Sequence, residues 1–156
     1  MLEIDIPGYR FLRLRHLVMD YNGTLAQNGT LLAGVTPRLE QLAESLRLHV
    51  VTADTFGQAK ANLATLPCEV VILPAENQAQ GKLAYVESLG RDQVAAIGNG
   101  RNDRLMLAAA ALGIAVVQEE GAATETLSAA DVVMSDIRSA LDMLLFPKRL
   151  IATLRS

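Results

Sequence analysis

The sequence lacks the features that mark several large classes of protein. It has one cysteine, Cys68, among 156 residues, so no disulfide can form within the chain and a reducing compartment is expected. No apolar run approaches the ~18 residues of a membrane-spanning helix. The first residues, Met1 to Ile6, are too few and too acidic for a signal peptide. We therefore expect a cytoplasmic protein with no membrane insertion.

Basic and aromatic residues are also scarce. Fourteen basic against seventeen acidic residues give a net charge of −3, which argues against nucleic acid as a partner, because phosphate backbones attract a basic surface. Aromatic residues make up 4% of the chain and apolar residues 51%, so the core has to be built from Leu, Ala, Val and Ile. This composition excludes a disordered chain, and the length is that of one domain.

Short apolar runs alternate with helical patterns along most of the chain. Residues 2–14 alternate apolar and polar side chains around Pro7-Gly8, which predicts a β-hairpin. Strands are predicted at 16–19, 48–51, 69–73, 93–97, 113–117 and 131–134, and helices at 36–45, 56–66, 80–89, 102–111 and 137–149. Thr36 is predicted to cap the first of these helices, with Pro37 at its first position.

This order of elements predicts an α/β fold: a three-layer, Rossmann-like parallel sheet with helices on both faces. Strands covered on both faces are expected to be almost continuously apolar, as these are. A small flap is predicted around a turn at Gln27-Asn28-Gly29-Thr30. No linker divides the chain, so residues 1–156 are predicted to form a single domain.

Polar residues follow the predicted strands at their carboxyl ends, where parallel α/β sheets bind ligands. Asp20-Tyr21-Asn22-Gly23-Thr24 follows the first strand, Thr52-Ala53-Asp54 the second and Gly98 to Asp103 the fourth, while Lys82 lies near the start of a helix. These residue types suit a phosphoryl group. A carboxylate can attack phosphorus, while backbone N–H groups, a hydroxyl and an ammonium hold its oxygens. Two facing carboxylates repel each other, which a divalent cation such as Mg²⁺ relieves.

At these residues the sequence resembles the haloacid dehalogenase (HAD) superfamily, whose four signature elements occur in order. The first element, Asp-x-Asp-Gly-Thr, corresponds to residues 20–24; the second, a Thr or Ser at a strand end, to Thr52; the third to Lys82. The fourth, Gly-Asp-Gly-x-Asn-Asp, corresponds to residues 98–103. Within the superfamily, residues 52–54, 98–116 and 128–133 are most similar to the phosphorylation domain of P-type ATPases and to small soluble P-type ATPase-like proteins.

The resemblance implies a Mg²⁺-dependent phosphohydrolase or phosphotransferase that acts through an aspartyl phosphate. It implies catalytic roles for Asp20, Asn22, Thr52 and Lys82; phosphate binding by Asn22, Gly23, Thr52, Ala53 and Lys82; and metal binding by Asp20, the Asn22 carbonyl, Asn99 and Asp103. The intervals between the motifs leave no room for a nucleotide-binding or cap domain. The chain therefore resembles capless HAD proteins, and we expect a small phosphorylated substrate or a phosphoprotein as partner. A homo-oligomer, formed through the flap and the N-terminal hairpin, is expected to cover the open site.

Two departures from the family pattern support an alternative function. Asn22 stands where HAD phosphatases carry the Asp that protonates the leaving group and activates water, and losing such help costs ~10²–10⁴ in rate. Asn99 stands where the family has a metal-binding Asp, so metal affinity is expected to be reduced. The alternative is a degenerate HAD domain that binds phosphate or a protein partner as a regulator. A regulatory subunit of a membrane transporter is a third hypothesis, which rests on family likeness alone.

Other polar residues have simpler interpretations. Asp54 is either an N-cap of the following helix or a group that supports the site. His16 and His49 lie on predicted buried strands and are expected to be structural, as is Cys68. The pair Glu119-Glu120 is predicted to lie in a solvated loop.

Overall fold

The computed structural model describes residues 1–54 and 57–156 as ten strands and seven α-helices. The strands are β1 (Leu2–Ile6), β2 (Arg10–Leu14), β3 (His16–Met19), β4 (Ala26–Gln27), β5 (Thr30–Leu31), β6 (Arg47–Thr52), β7 (Cys68–Ile72), β8 (Val94–Gly98), β9 (Leu112–Val116) and β10 (Val132–Met134). The helices are α1 (Val35–Leu42), α2 (Gln58–Leu63), α3 (Gln78–Leu89), α4 (Arg104–Ala109), α5 (Thr124–Ala129), α6 (Ile137–Leu145) and α7 (Pro147–Leu154).

Six parallel strands form the central sheet in the order β10-β9-β8-β3-β6-β7. The chain winds outward from β3 through β6 to β7, and then returns to β8 on the other side of β3. The loops after β3 and β8 therefore diverge at a switch point, where α/β sheets bind their ligands. Asp20 follows β3 and Asn99 follows β8, so the first and fourth motifs meet there.

The two faces of the sheet carry separate apolar layers. Leu17 and Met19 pack on the face covered by α1, α2, α6 and α7, whereas Val18 faces α3, α4 and α5, as the alternation of side chains along a strand requires. The antiparallel hairpin β1–β2 joins the first layer through four buried side chains, Ile4, Ile6, Leu12 and Leu14. The predicted three-layer fold and its N-terminal hairpin are confirmed. None of the helices in the described ranges is long and apolar enough to cross a membrane.

The first helices differ in detail from the sequence prediction. Helix α1 begins at Val35 rather than at a Thr36 cap, because Gly34 takes the left-handed φ of 86° and occupies the capping position. The predicted start of the next helix, Phe56, lies outside the described residues, and the described helix α2 begins at Gln58.

The C-terminal third contains the larger corrections. The predicted helix 137–149 is two helices, because Phe146 leaves the helical conformation (φ −124°, ψ 74°) and Pro147 begins α7. The carboxylate of Asp136 caps α6 by accepting from the Ser139 N–H at 2.9 Å. Helix α5 was not predicted, since its six residues are too few to show a helical period.

Candidate active site

Three charged side chains meet at the carboxyl edge of the sheet. The Lys82 Nζ atom lies 2.8 Å from Asp20 Oδ1 and 2.7 Å from Asp103 Oδ1. Lys82 and Asp103 have no exposed surface, and Asp20 is 8% exposed. The lysine from α3 thus stands between the two carboxylates, where the sequence had suggested that a divalent cation would relieve their repulsion.

Burial and charge set the protonation of this cluster. Burial, and then the charge of Asp103, raise the pKa of Asp20 to about 7, although Lys82 opposes the shift. Burial alone would lower the pKa of Lys82, but the carboxylates of Asp20 and Asp103 outweigh it and raise that pKa above its usual value. One ammonium is therefore shared by two carboxylates, so a further cation beside Asp20 would favour its ionised form.

Asp103 is held by the loop that carries it. Its Oδ2 accepts from the N–H groups of Asn99 and Gly100, both at 3.0 Å, while its Oδ1 accepts from Lys82. A Cβ on Gly98 would lie 2.5 Å from the Asp103 carboxyl carbon, so only glycine allows this turn. Three donors hold this buried carboxylate, so it positions Lys82 and the loop. Metal binding by Asp103 stays a prediction.

Asn99 presents its amide oxygen to the same side of Asp20. Its Oδ1 lies 3.2 Å from the Thr24 hydroxyl, which in turn lies 3.5 Å from Asp20 Oδ2. Its Nδ2 donates to the Gly121 carbonyl at 3.1 Å, which fixes the orientation of the amide. Thr24 is a buried part of the site that the sequence analysis did not single out, although it belongs to the first motif.

The Asn22 side chain is hydrogen-bonded to the flap formed by β4 and β5. The flap turns at Asn28 (φ 50°) and Gly29 (φ 80°), the conformation favoured in two-residue hairpin turns. The Asn22 Oδ1 atom accepts from the Gly29 N–H at 3.1 Å, and the Gly29 carbonyl accepts from Tyr21 Oη at 2.9 Å and Asn62 Nδ2 at 2.7 Å. The Asn22 side chain is nevertheless exposed and lines the cleft.

Gly23 is required by close approach of the loop after β9. It has a positive φ of 81°, and a Cβ there would lie 2.6 Å from Asn99 Nδ2 and 2.8 Å from Glu120 Oε2. Its N–H donates to the Ala26 carbonyl at 2.8 Å. The Gly23 N–H, which was predicted to bind phosphate, is thus hydrogen-bonded within the turn. Gly23 contributes to the site because its missing side chain leaves space for the side chains of Asn99 and Glu120.

An open cleft of about 320 Å³ lies above Asp20. Its described lining consists of Asp20, Asn22, Thr52, Ala53, Asp54, Gln58, Gln78, Asn99, Gly100, Asn102 and Glu120. Asp54 lines the cleft, and its carboxylate caps the start of α2, as one interpretation proposed, by accepting from the N–H groups of Ala59 (2.8 Å) and Lys60 (3.2 Å). Gln58, Gln78 and Glu120 were missed, because nothing in the sequence marks the rim of a cleft.

The histidines and the cysteine lie away from this cleft. His16 Nδ1 is 3.0 Å from His49 Nε2, and His49 Nδ1 is 2.8 Å from Tyr85 Oη, beneath the helices on one face of the sheet. Cys68 begins the edge strand β7 and is partly buried. None of these four residues lines the cleft, in agreement with the structural roles predicted for the histidines and Cys68.

The donor set beside Asp20 suits a hard cation. The Asp20 carboxylate, the Asn99 amide oxygen and a backbone carbonyl at Asn22 are oxygen atoms, the ligands that Mg²⁺ takes in proteins. Within residues 1–54 and 57–156, no three His, Cys, Asp or Glu side chains are arranged to hold a metal. A cation here would therefore depend on neutral oxygens and on substrate, as weakly held Mg²⁺ commonly does.

Comparison with known proteins gives one sequence relative. No family model matches the sequence. An uncharacterized protein of Methanocaldococcus jannaschii, MJ0073, is 46% identical over 78 residues, which cover 47% of this chain and 84% of that protein. The chain therefore belongs to the same family as this archaeal protein.

Solved structures of low sequence identity share the fold. A protein of Streptomyces avermitilis described as a HAD family hydrolase is 18% identical, with a TM-score of 0.69 over 87% of each chain. The cobalt-bound deoxy-D-mannose-octulosonate 8-phosphate phosphatase of Haemophilus influenzae is 16% identical, with a TM-score of 0.71 over 92% of this chain and 94% of that chain.

The corresponding phosphatase of Moraxella catarrhalis, in complex with magnesium, phosphate and 3-deoxy-D-manno-octulosonate, is 17% identical and has a TM-score of 0.66 over 91% of this chain and 94% of that one. The chain thus has the fold of the HAD-family hydrolases, as its four motifs predicted. The closer likeness to P-type ATPases stays a prediction.

Proposed function

We propose that the chain is a Mg²⁺-dependent phosphohydrolase or phosphotransferase that acts through an aspartyl phosphate on Asp20. The observation that carries the proposal is the position of Asp20 at the switch point of the sheet, held by the buried Lys82 and open to a polar cleft. The fold shared with proteins named as phosphatases supports it.

In the proposed reaction, a carboxylate oxygen of Asp20 forms a bond to phosphorus while the bond from phosphorus to the leaving oxygen breaks. The bonding pair departs with the leaving oxygen, which takes up a proton from solvent. In hydrolysis a water oxygen then bonds to phosphorus while the bond to the Asp20 oxygen breaks, so that Asp20 is regenerated, inorganic phosphate is released and the proton of water passes to solvent. The Thr52 hydroxyl and the Asn22 and Ala53 N–H groups hold the phosphoryl oxygens. Lys82 fixes the orientation of Asp20 through its hydrogen bond to Oδ1. Binding of a phosphoryl oxygen by the Lys82 ammonium is part of the proposal.

The oxygens of Asp20, Asn99 and the Asn22 carbonyl are the groups that would hold Mg²⁺. When bound there, the ion supplies neutralisation of the phosphoryl charge. Asp103 is the fourth proposed ligand, and its oxygens also accept from Lys82 and from the N–H groups of Asn99 and Gly100.

The reaction is expected to be slow with ordinary phosphate esters. The Asn22 amide is too weak an acid to protonate the leaving group and too weak a base to take a proton from water. Substrates with good leaving groups, such as aryl and acyl phosphates, are therefore favoured.

Release of p-nitrophenol from p-nitrophenyl phosphate with Mg²⁺ tests the proposal. Asp20→Asn should abolish the Mg²⁺-dependent release, whereas Asp54→Asn, which removes another carboxylate of the same cleft, should retain most of it. Equal rates for the wild type and Asp20→Asn would overturn the nucleophilic role of Asp20.

The amides of Asn22 and Asn99, which stand in the cleft where the family pattern has two carboxylates, favour a second candidate, a regulator that binds phosphate without turnover. Under this alternative, Mg²⁺ and beryllium fluoride bind at Asp20 while no substrate is hydrolysed, even after Asn22→Asp and Asn99→Asp are combined. Under either function, we propose that a homo-oligomer covers the cleft. Size-exclusion chromatography with light scattering tests this, and finding only monomer would exclude the homo-oligomer.

A further inference from the structure

The rim of the cleft carries negative charge and amides. Besides Asp20, its described lining includes two carboxylates, from Asp54 and Glu120, and five side-chain amides, from Asn22, Gln58, Gln78, Asn99 and Asn102. No lysine or arginine is among the described lining residues. Under the proposed function, the leaving group of a phosphate ester bound at Asp20 would lie in this cleft.

The two carboxylates flank the cleft from opposite sides. Asp54 follows β6 and Glu120 follows β9, and these strands lie on opposite sides of the central pair β3 and β8. Glu120 reaches close to the catalytic loop, since its Oε2 lies 2.8 Å from the position that a Gly23 Cβ would take. A leaving group above Asp20 therefore meets a carboxylate on either side.

Three basic side chains near the cleft form ion pairs with acidic residues other than Asp54 and Glu120. Lys82 is buried and is paired with the carboxylates of Asp20 and Asp103. Arg101 and Arg104, on the loop and helix after β8, pair with Glu125 at 2.9 and 3.4 Å. Lys60 meets Asp54 through its backbone N–H at 3.2 Å, and its side chain is not among the described lining of the cleft.

We propose that this cleft selects phosphorylated substrates whose leaving group is uncharged or cationic, and discriminates against leaving groups that carry a carboxylate. The inference rests on the proposed function and adds a substrate class to it. A carboxylate on the leaving group would approach two like charges with no lysine or arginine among the described lining residues, and such repulsion is an effective source of specificity. A neutral group can instead exchange hydrogen bonds with the amides of the rim.

Matched aryl phosphates test this selectivity. 4-Carbamoylphenyl and 4-carboxyphenyl phosphate have nearly the same shape and differ by one negative charge. We expect kcat/KM to be about tenfold or more higher for the carbamoyl compound, the effect of about 1.4 kcal/mol. Glu120→Lys should lower this ratio about tenfold, because it replaces a repulsive charge by an attractive one.

Glu119→Lys is the matched control. It makes the same change in net charge one residue away, but Glu119 does not line this cleft, so the ratio should stay at the wild-type value. Comparing the ratio among variants cancels the intrinsic difference in reactivity of the two esters. A wild-type preference for the carboxyl compound, or equal shifts in both variants, would overturn the inference.

The two proposals fail in different ways. If p-nitrophenyl phosphate and both aryl phosphates are left intact, the proposed function fails. The two aryl phosphates are then ranked by calorimetric affinity for the Mg²⁺-loaded protein, where tighter binding of the carboxyl compound overturns the charge selectivity and tighter binding of the carbamoyl compound supports it.

Discussion

Replacing Asn22 by aspartate is expected to turn a slow phosphatase into a faster one. An aspartate can keep the existing bond, because one of its oxygens takes the place of the Oδ1 that accepts from the Gly29 N–H at 3.1 Å. Its second oxygen then stands where the amide nitrogen is now, at the edge of the cleft. The side chain is exposed, so the new carboxylate loses little hydration.

The size of the gain follows from what the carboxyl group supplies. A positioned acid and base contribute ~10²–10⁴ in rate. An alkyl phosphate, whose leaving oxygen needs a proton, should show a gain of about 10² or more. p-Nitrophenyl phosphate should gain less, since p-nitrophenolate leaves readily without protonation.

Steady-state kinetics of Asn22→Asp with an alkyl phosphate and with p-nitrophenyl phosphate measures both effects. Gln78→Glu is the matched control, because it converts another amide of the same cleft to a carboxylate while keeping the oxygen that accepts from Asn102. Folded Asn22→Asp protein with unchanged kcat/KM for both substrates would refute the reasoning that Asn22 limits the rate.

Three further predictions concern the residues around the site and the buried histidines. Lys82→Met should lower the free energy of unfolding, measured by urea denaturation, by about 3–5 kcal/mol, because it leaves two buried carboxylates without their ammonium partner. Lys60→Met changes an exposed lysine and should stay within about 0.5 kcal/mol of the wild type. Similar losses for the two variants would contradict this prediction. Gly23→Ala (φ 81°) should lose about 1–3 kcal/mol of stability through backbone strain and also most activity, whereas Gly90→Ala (φ 87°), with no described atom within 4 Å of its Cβ position, should retain activity. Burial lowers the pKa of His49 below 6.5, its value in the unfolded chain. As the pH drops below 6.5 the unfolded chain binds the proton first, so the folded protein should lose stability. The melting temperature of His49→Gln should depend less on pH below 6.5, and a pH dependence equal to that of the wild type would exclude His49 as the cause.

Much of the fold could be predicted because its strands are buried on both faces. Strand β3 matches its predicted bounds, and Gly90 ends α3 at the predicted place. The flap turn at Asn28-Gly29 was predicted because both residues tolerate positive φ. Helix α5 was missed because its six residues show no period, and its position depends on tertiary contacts, such as that of the Thr126 hydroxyl with the Gly100 carbonyl at 2.7 Å.

The candidate site could be predicted only as a set of motifs. Position after a strand indicated Asp20 and Asn99, but no pattern indicates that Lys82 contacts two carboxylates or that the Gly23 N–H is used within its own turn. Glu120 is exposed, as the predicted solvated loop requires. Its nearness to Gly23 depends on the path of the loop after β9, which the sequence does not indicate. Motifs thus predict which strand ends meet, whereas the partners of each side chain depend on loop conformation.

Borohydride trapping of the phosphoenzyme tests the central claim most directly. The protein is mixed with Mg²⁺ and an aryl phosphate, quenched and reduced, and the peptide that contains residue 20 is analysed by mass spectrometry. An aspartyl phosphate on Asp20 predicts conversion of that residue to homoserine in the wild type, and in Asp54→Asn, but not in Asp20→Asn. Phosphate release by the wild type without any modification at Asp20 would contradict the account.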